Sequence, residues 1–165
     1  VPTLAEFFGV EPPEYMDGRS LTPVIREDTP VRDGALFGIF GGHVNITDGR
    51  YVYMKAPARP ENGPLYEYTL MPCHMRDPFY PSELRRIELA EGFPHMKGSR
   101  VMKIPAGGAA QAYQYGDLLF DLEKDPEQKQ AIQDEGVTER LTQRMREMMR
   151  ENEAPREQYE RLGIL

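Results

Sequence analysis

Apolar and polar positions along this chain change period several times, and each change marks an element. Ala35-Leu36-Phe37-Gly38-Ile39-Phe40, His43-Val44-Asn45-Ile46-Thr47 and Arg50-Tyr51-Val52-Tyr53-Met54 are rich in β-formers. The last two flank Asp48-Gly49, which predicts a hairpin with a type I′ turn in which both central residues take positive φ. In the second arm Tyr51 and Tyr53 share one face and Val52 and Met54 the other. Gly41-Gly42 marks a bend or bulge before the hairpin. Further strands are expected over 65–71, 101–104 and 118–122, the last stopped by the charged turn Glu123 to Pro126. Ser82 to Leu89 reads as a short capped helix. From Val137 to Glu153 the period is helical, because Val137, Leu141, Met145, Met148 and Met149 recur at spacings of four and three. Arg140, Arg144, Arg146 and Arg150 mix with Glu139, Glu147 and Glu151 elsewhere on this helix, as on a solvated surface with ion pairs. Pro155 ends it, and 155–162 adds a final turn or two of helix. Near the start, Thr3 is placed to cap a helix bearing Leu4, Phe7 and Phe8 with Gly9 as C-cap, and Ser20 to begin a brief helix that Pro23 enters.

Composition narrows the class. The chain has 165 residues, enough for one domain or a large subdomain, with 39% hydrophobic residues. Its 15 glycines and 15 prolines imply many turns. A net charge of -7 argues against nucleic acid and acidic membranes as partners, since neutralising phosphates takes clustered Lys and Arg. Cys73 is the single cysteine, which excludes an internal disulfide and a cysteine-rich zinc site. No run of about 18 apolar residues offers a membrane span. Val1 to Val10 has neither an initiator Met nor a basic leader and reads as a helix already under way, so the chain is expected to be a piece of a longer one.

Three segments carry a resemblance. Val1-Pro2-Thr3-Leu4 through Gly9-Val10 is similar to a Pro-Thr-Leu helix ending in a Gly-Val corner. Asp17-Gly18-Arg19-Ser20-Leu21-Thr22-Pro23 matches an Asp-Gly-x-Ser-Leu-x-Pro stretch. Leu119-Phe120-Asp121-Leu122-Glu123-Lys124-Asp125-Pro126-Glu127 is close to an aromatic-Asp-Leu-x-x-Asp-Pro-x-Glu signature. In this order they resemble the C-terminal region of sulfatases of the alkaline-phosphatase superfamily, whose small C-terminal sheet holds a strand pair where Asp48-Gly49-Arg50-Tyr51 stands here. Where that family often has Asn-Leu after its Glu, this chain has Gln130-Ala131-Ile132.

The resemblance implies an α+β fold: a small antiparallel sheet of about four strands packed against the long C-terminal helix. Residues 1–33 would close the catalytic domain and link onward. Residues 34–165 would be the C-terminal subdomain, with a subfamily insertion at 73–112. Asp125-Pro126 would cap and start the next helix. The chain would then be a C-terminal fragment of a sulfuric ester hydrolase. Its partner would be the N-terminal catalytic domain of the same parent, and the fragment alone could self-associate through the Leu4, Phe7 and Phe8 face. Two alternatives stay open: the tail of a related phosphodiesterase or phosphonate monoester hydrolase, and a stand-alone binding module.

Sulfatases act through a formylglycine made in a Cys/Ser-x-Pro-x-Arg motif beside a divalent metal, calcium in the implied parent. That motif does not occur here. Cys73 is followed by His74, Met75, Arg76 and Asp77, and Ser20, Ser82 and Ser99 lack Pro two residues on. The metal-binding Asp, Asn and His positions precede the Pro-Thr-Leu helix in the family, so no catalytic or metal-ligating residue is expected in this chain, nor any cofactor of its own. His43, Cys73, His74 and His95 have no spacing that favours a metal site. His43 is either an ordinary sheet-edge histidine or, with the loop from Cys73 to Tyr80, part of a substrate-pocket rim. His43, His74 and Arg76 are the candidate rim residues. Tyr51, Tyr53, Tyr66 and Tyr68 read as packing residues, and Cys73 as an inert thiol.

Overall fold

The computed structural model describes residues 1–13, 16, 18–96, 98–107 and 111–165, and the chain divides into two compact units, Val1–Ala35 and Leu36–Leu165. In the first, α1 (Pro2–Phe7) ends through Gly9, whose φ of +65° suits a residue without Cβ. Thr3 is not the cap: Val1 holds that position, and Thr3 Oγ1 instead accepts the Leu21 N–H at 2.9 Å. The α2 helix (Thr22–Glu27) starts where expected, with Pro23 in its first turn and Ser20 Oγ accepting the Thr22 N–H at 3.2 Å. Leu4, Phe7 and Phe8 are exposed. Asp17 of the Asp-Gly-x-Ser segment lies outside the described residues.

The second unit is α+β. One sheet has the order β1 (Ala35–Gly38), β2 (Val44–Thr47), β3 (Tyr51–Lys55), β7 (Leu118–Asp121), with β2/β3 and β3/β7 antiparallel. Its hairpin differs from the expected type I′ form. Thr47 pairs with Val52, so the central residues are Gly49 and Arg50, and only Gly49 has positive φ, at +95°. The cause is Asp48, whose Oδ1 accepts the N–H groups of Arg50 at 3.0 Å and Tyr51 at 2.7 Å and so belongs to the turn's frame rather than its tip. This register sets Ile46 opposite Tyr53.

Those two residues and Leu119 form the sheet side of the core, and Leu141, Met145 and Met149 of α4 (Glu135–Glu151) form the other, closed by Leu162 and Ile164. Each such side chain stabilises the fold by about 1.5–3 kcal/mol. The α4 helix starts at Asp134, whose Oδ1 accepts the Val137 N–H at 3.0 Å. Asp125-Pro126 does not start a helix. Asp125 O and Oδ2 accept the Gln128 and Gln130 N–H groups at 3.0 and 2.7 Å, Gln128 takes a φ of +53°, and the Ile132 N–H returns to Leu119 O at 2.8 Å. This loop lies back along β7 before α4 can begin. After Pro155, α5 (Arg156–Leu162) follows as expected.

A second antiparallel sheet of order β4 (Tyr66–Thr69), β6 (Val101–Pro105), β5 (Glu88–Ala90) was not expected as a separate layer. The helix expected over 82–89 is only α3 (Pro81–Leu84), capped through the Tyr80 N–H, which donates to Glu83 Oε2 at 2.6 Å, and not through Ser82. Pairing of Leu89 with Met102 on β6 takes the remaining residues into a strand, so a tertiary ladder overrides a local helical preference.

Candidate functional site

The segment joining β1 to β2 lines two clefts of the second unit. Gly41 turns with φ of +70°, and the Gly42 N–H donates to Ile39 O at 3.0 Å. A Cβ on Gly42 would come within 2.8 Å of Ile39 Cγ1, so the close return of the chain requires glycine. Two buried polar side chains clamp the turn. Asn62 Nδ2 donates to Gly41 O at 2.6 Å, and Arg161 Nη1 donates to Gly42 O at 3.1 Å and to Asn62 Oδ1 at 2.9 Å. The bend at Gly41-Gly42 is thus held by residues 21 and 119 positions further on, and neither carries a signal in the sequence.

Two clefts flank this turn, of about 670 and 680 Å³. The first lies between β1, β4 and α5, with Phe40, Leu65, Tyr68, Phe93 and Arg161 among its walls. The second has Asn45, Met54 and Tyr115 in its wall. His43 lines both. Its Nε2 lies 2.9 Å from Gly116 O, and because a carbonyl only accepts, Nε2 is the donor there. Asn45 is 7% exposed, and its Oδ1 has no hydrogen-bond partner among the described residues.

His74 has a different setting. Its Nε2 lies 3.0 Å from Glu83 Oε1, its Nδ1 3.8 Å from Glu67 Oε2, and its ring meets Phe79 edge-on at 4.7 Å. The Tyr80 N–H and then His74 hold the Glu83 carboxyl below its usual range. His74 thus ties the 72–80 loop to α3 and β4, and it reaches the first cleft only through Glu67, which lines it. Arg76 is exposed and has no hydrogen bond or ion pair among the described residues. The three candidate rim residues therefore do not share one wall. The side chain of His95 lies outside the described residues. Cys73 is a half-buried free thiol. Among the described residues, no three His, Cys, Asp or Glu side chains converge as metal ligands, and no helix is long and apolar enough to cross a membrane.

Two polar networks fix the sheet beneath the clefts. Asp117 accepts from Tyr53 Oη at 2.8 Å, Lys55 Nζ at 2.8 Å and the Ala56 N–H at 2.9 Å. Burial pushes its carboxyl up, but these three bonds outweigh it and leave the group below the usual carboxylate range. Burial and the same carboxylate push the Tyr53 hydroxyl strongly up. Asp121, only 2% exposed, accepts from Arg50 Nη2 at 3.1 Å and from the Glu123 N–H at 3.2 Å, and the Arg50 bond holds its carboxyl down. At the edge of the first cleft Tyr68 donates to Glu157, and burial followed by this bond pushes its hydroxyl up to about 12. Tyr53 and Tyr68 are thus packing residues with bonded hydroxyls.

The fold defines a class, α+β, with two antiparallel sheets and a long helix near the C-terminus. Compared with protein-family models and with curated proteins, the chain matches none.

Proposed function

We propose that this chain is the C-terminal part of a sulfatase-type ester hydrolase, supporting the catalytic domain and contributing to the rim of its substrate pocket rather than performing the chemistry. The observation that carries the reading is the pairing of two segments that resemble that family. Arg50-Tyr51 and Phe120-Asp121 are about 70 residues apart in sequence, yet Tyr51 pairs with Asp121 across adjacent strands and Arg50 bonds the Asp121 carboxylate at 3.1 Å. Asp121 in the Leu-Phe-Asp-Leu strand thus joins the strand end to the hairpin turn and organises the charged turn behind it. On this reading the nucleophile and calcium belong to the catalytic domain, since this sequence carries no Cys/Ser-x-Pro-x-Arg motif. His43 is the rim residue best placed, since it alone of the three candidates lines a cleft.

Leu4, Phe7 and Phe8 would face that domain. At 61, 80 and 72% exposure they would also drive self-association of the fragment, and a purely monomeric sedimentation profile at high concentration would count against this docking face. Reading the coding sequence upstream of Val1 tests the whole assignment. A Cys/Ser-x-Pro-x-Arg motif is expected there. A superfamily nucleophile of another kind would make this the tail of a phosphodiesterase or phosphonate hydrolase, and a start codon adjoining Val1 would make it a binding module.

A further inference from the structure

The first cleft ends on a cation that has no counter-charge among the described residues. Arg161 is 3% exposed and forms part of the cleft wall. Its Nη1 donates to Gly42 O and Asn62 Oδ1 at 3.1 and 2.9 Å and its Nε to Gln158 Oε1 at 3.0 Å, so every partner is neutral. Nη2 has no hydrogen bond among the described residues. A guanidinium stays protonated, and a buried one is ordinarily matched by a carboxylate or phosphate held in its fork. The nearby acids are otherwise engaged. Glu67 lines the cleft but faces His74, and Glu157 is bonded by Tyr68 and paired with Lys103 at 3.5 Å. Burial accordingly works against the Arg161 charge, with no anion among the described residues to offset it. The wall around it is largely apolar, with Leu36, Phe40, Val44, Leu65 and Phe93.

We propose that this cleft binds a small amphipathic monoanion, an aromatic or aliphatic carboxylate, sulfate or sulfonate, with its head on Arg161 and its body against Phe40, Leu65 and Phe93. The cation supplies what the fold leaves unmatched, and the apolar wall suits a hydrocarbon body. This binding site is drawn from residues of the second unit alone and does not rest on the proposed function.

The test is a titration of the full chain, followed by amide NMR shifts, with naphthalene-2-carboxylate and with its uncharged isostere naphthalene-2-carboxamide. The carboxylate should bind saturably, at least about tenfold tighter than the carboxamide, with shifts centred on Gly42, Gln158 and Arg161. Phe40 is half-exposed and lines this cleft alone of the two, so its truncation leaves the core intact: Phe40→Ala should weaken both ligands and keep their ratio. Arg161→Gln should bring the carboxylate down to the carboxamide's affinity. If that variant fails to fold because Arg161 also clamps the Gly41-Gly42 turn, the wild-type ratio decides. Equal affinity of the two ligands, no saturable binding, shifts centred elsewhere, or unchanged affinity in Phe40→Ala would each overturn the proposal.

Discussion

Replacing Asp117 with alanine tests the polar frame that fixes β3 against β7. The change strands the Ala56 N–H, a donor on a residue 3% exposed, and an orphaned buried donor costs about 1–3 kcal/mol. Tyr53 Oη loses its carboxylate as well, and because a hydroxyl can rotate toward another acceptor its share falls at the low end of that range. The Lys55 pair is partly exposed and contributes less than about 1 kcal/mol. Together these give a loss of about 2–4 kcal/mol, read by urea unfolding followed by circular dichroism as a midpoint lowered by about 1 M or more at unchanged slope. Asp117→Asn keeps acceptor oxygen and should lose less. The pH dependence has a definite sign. The folded carboxyl lies below its unfolded value of about 3.9, so its contribution is full above that pH and is lost as pH falls through the folded value. Asp117→Ala should therefore lose stability less steeply in acid than the parent. A variant within about 0.5 kcal/mol of the parent at neutral pH, or one with the same acid profile, would refute the role given to Asp117.

Other substitutions probe other parts. Leu141→Ala, at a site 1% exposed between α4 and the first sheet, should cost about 2–5 kcal/mol in the same assay. Asn45→Leu removes a buried amide oxygen that has no partner among the described residues, at nearly constant shape, so stability should be unchanged or rise by about 1 kcal/mol, and a clear loss would mean that Asn45 has a partner the fold requires. Tyr68 has a hydroxyl raised from 10.0 to about 12, so its contribution is complete below the unfolded value and disappears as pH rises through the folded one. The parent should lose stability between about pH 10 and 12 more steeply than Tyr68→Phe, measured by thermal melts across that range.

The elements that could be read from sequence are those in which local pattern and tertiary role agree. The apolar spacing of α4 is the spacing of its buried face, and the alternation in β3 is the alternation of its two sides, so Leu141, Met145 and Tyr53 stand where the pattern places them. Disagreement arises where a partner distant in the chain decides. Leu89 follows β6 into a ladder instead of continuing α3, and Asp48 shifts the hairpin tip by one residue because its side chain bonds the turn. Asp125-Pro126 carries the marks of a helix start, but its carbonyl and carboxylate satisfy a loop returning to Leu119. At the candidate site, Gly41-Gly42 was visible as a bend and His43 as a residue beside it. Asn62 and Arg161, which hold that bend, gave no signal, because a buried arginine in a short polar helix has the same local pattern as an exposed one. His74 and Arg76 lie in one loop by sequence, yet one is a strut on Glu83 and the other is exposed.

The central claim is that this lobe supports chemistry performed elsewhere, and hydrolysis of 4-nitrophenyl sulfate in the presence of calcium tests it most directly. The isolated chain should release nitrophenol at the rate of buffer, with or without metal. Sustained turnover that a chelator abolishes and calcium restores would place a working nucleophile and metal centre within these 165 residues and contradict the account.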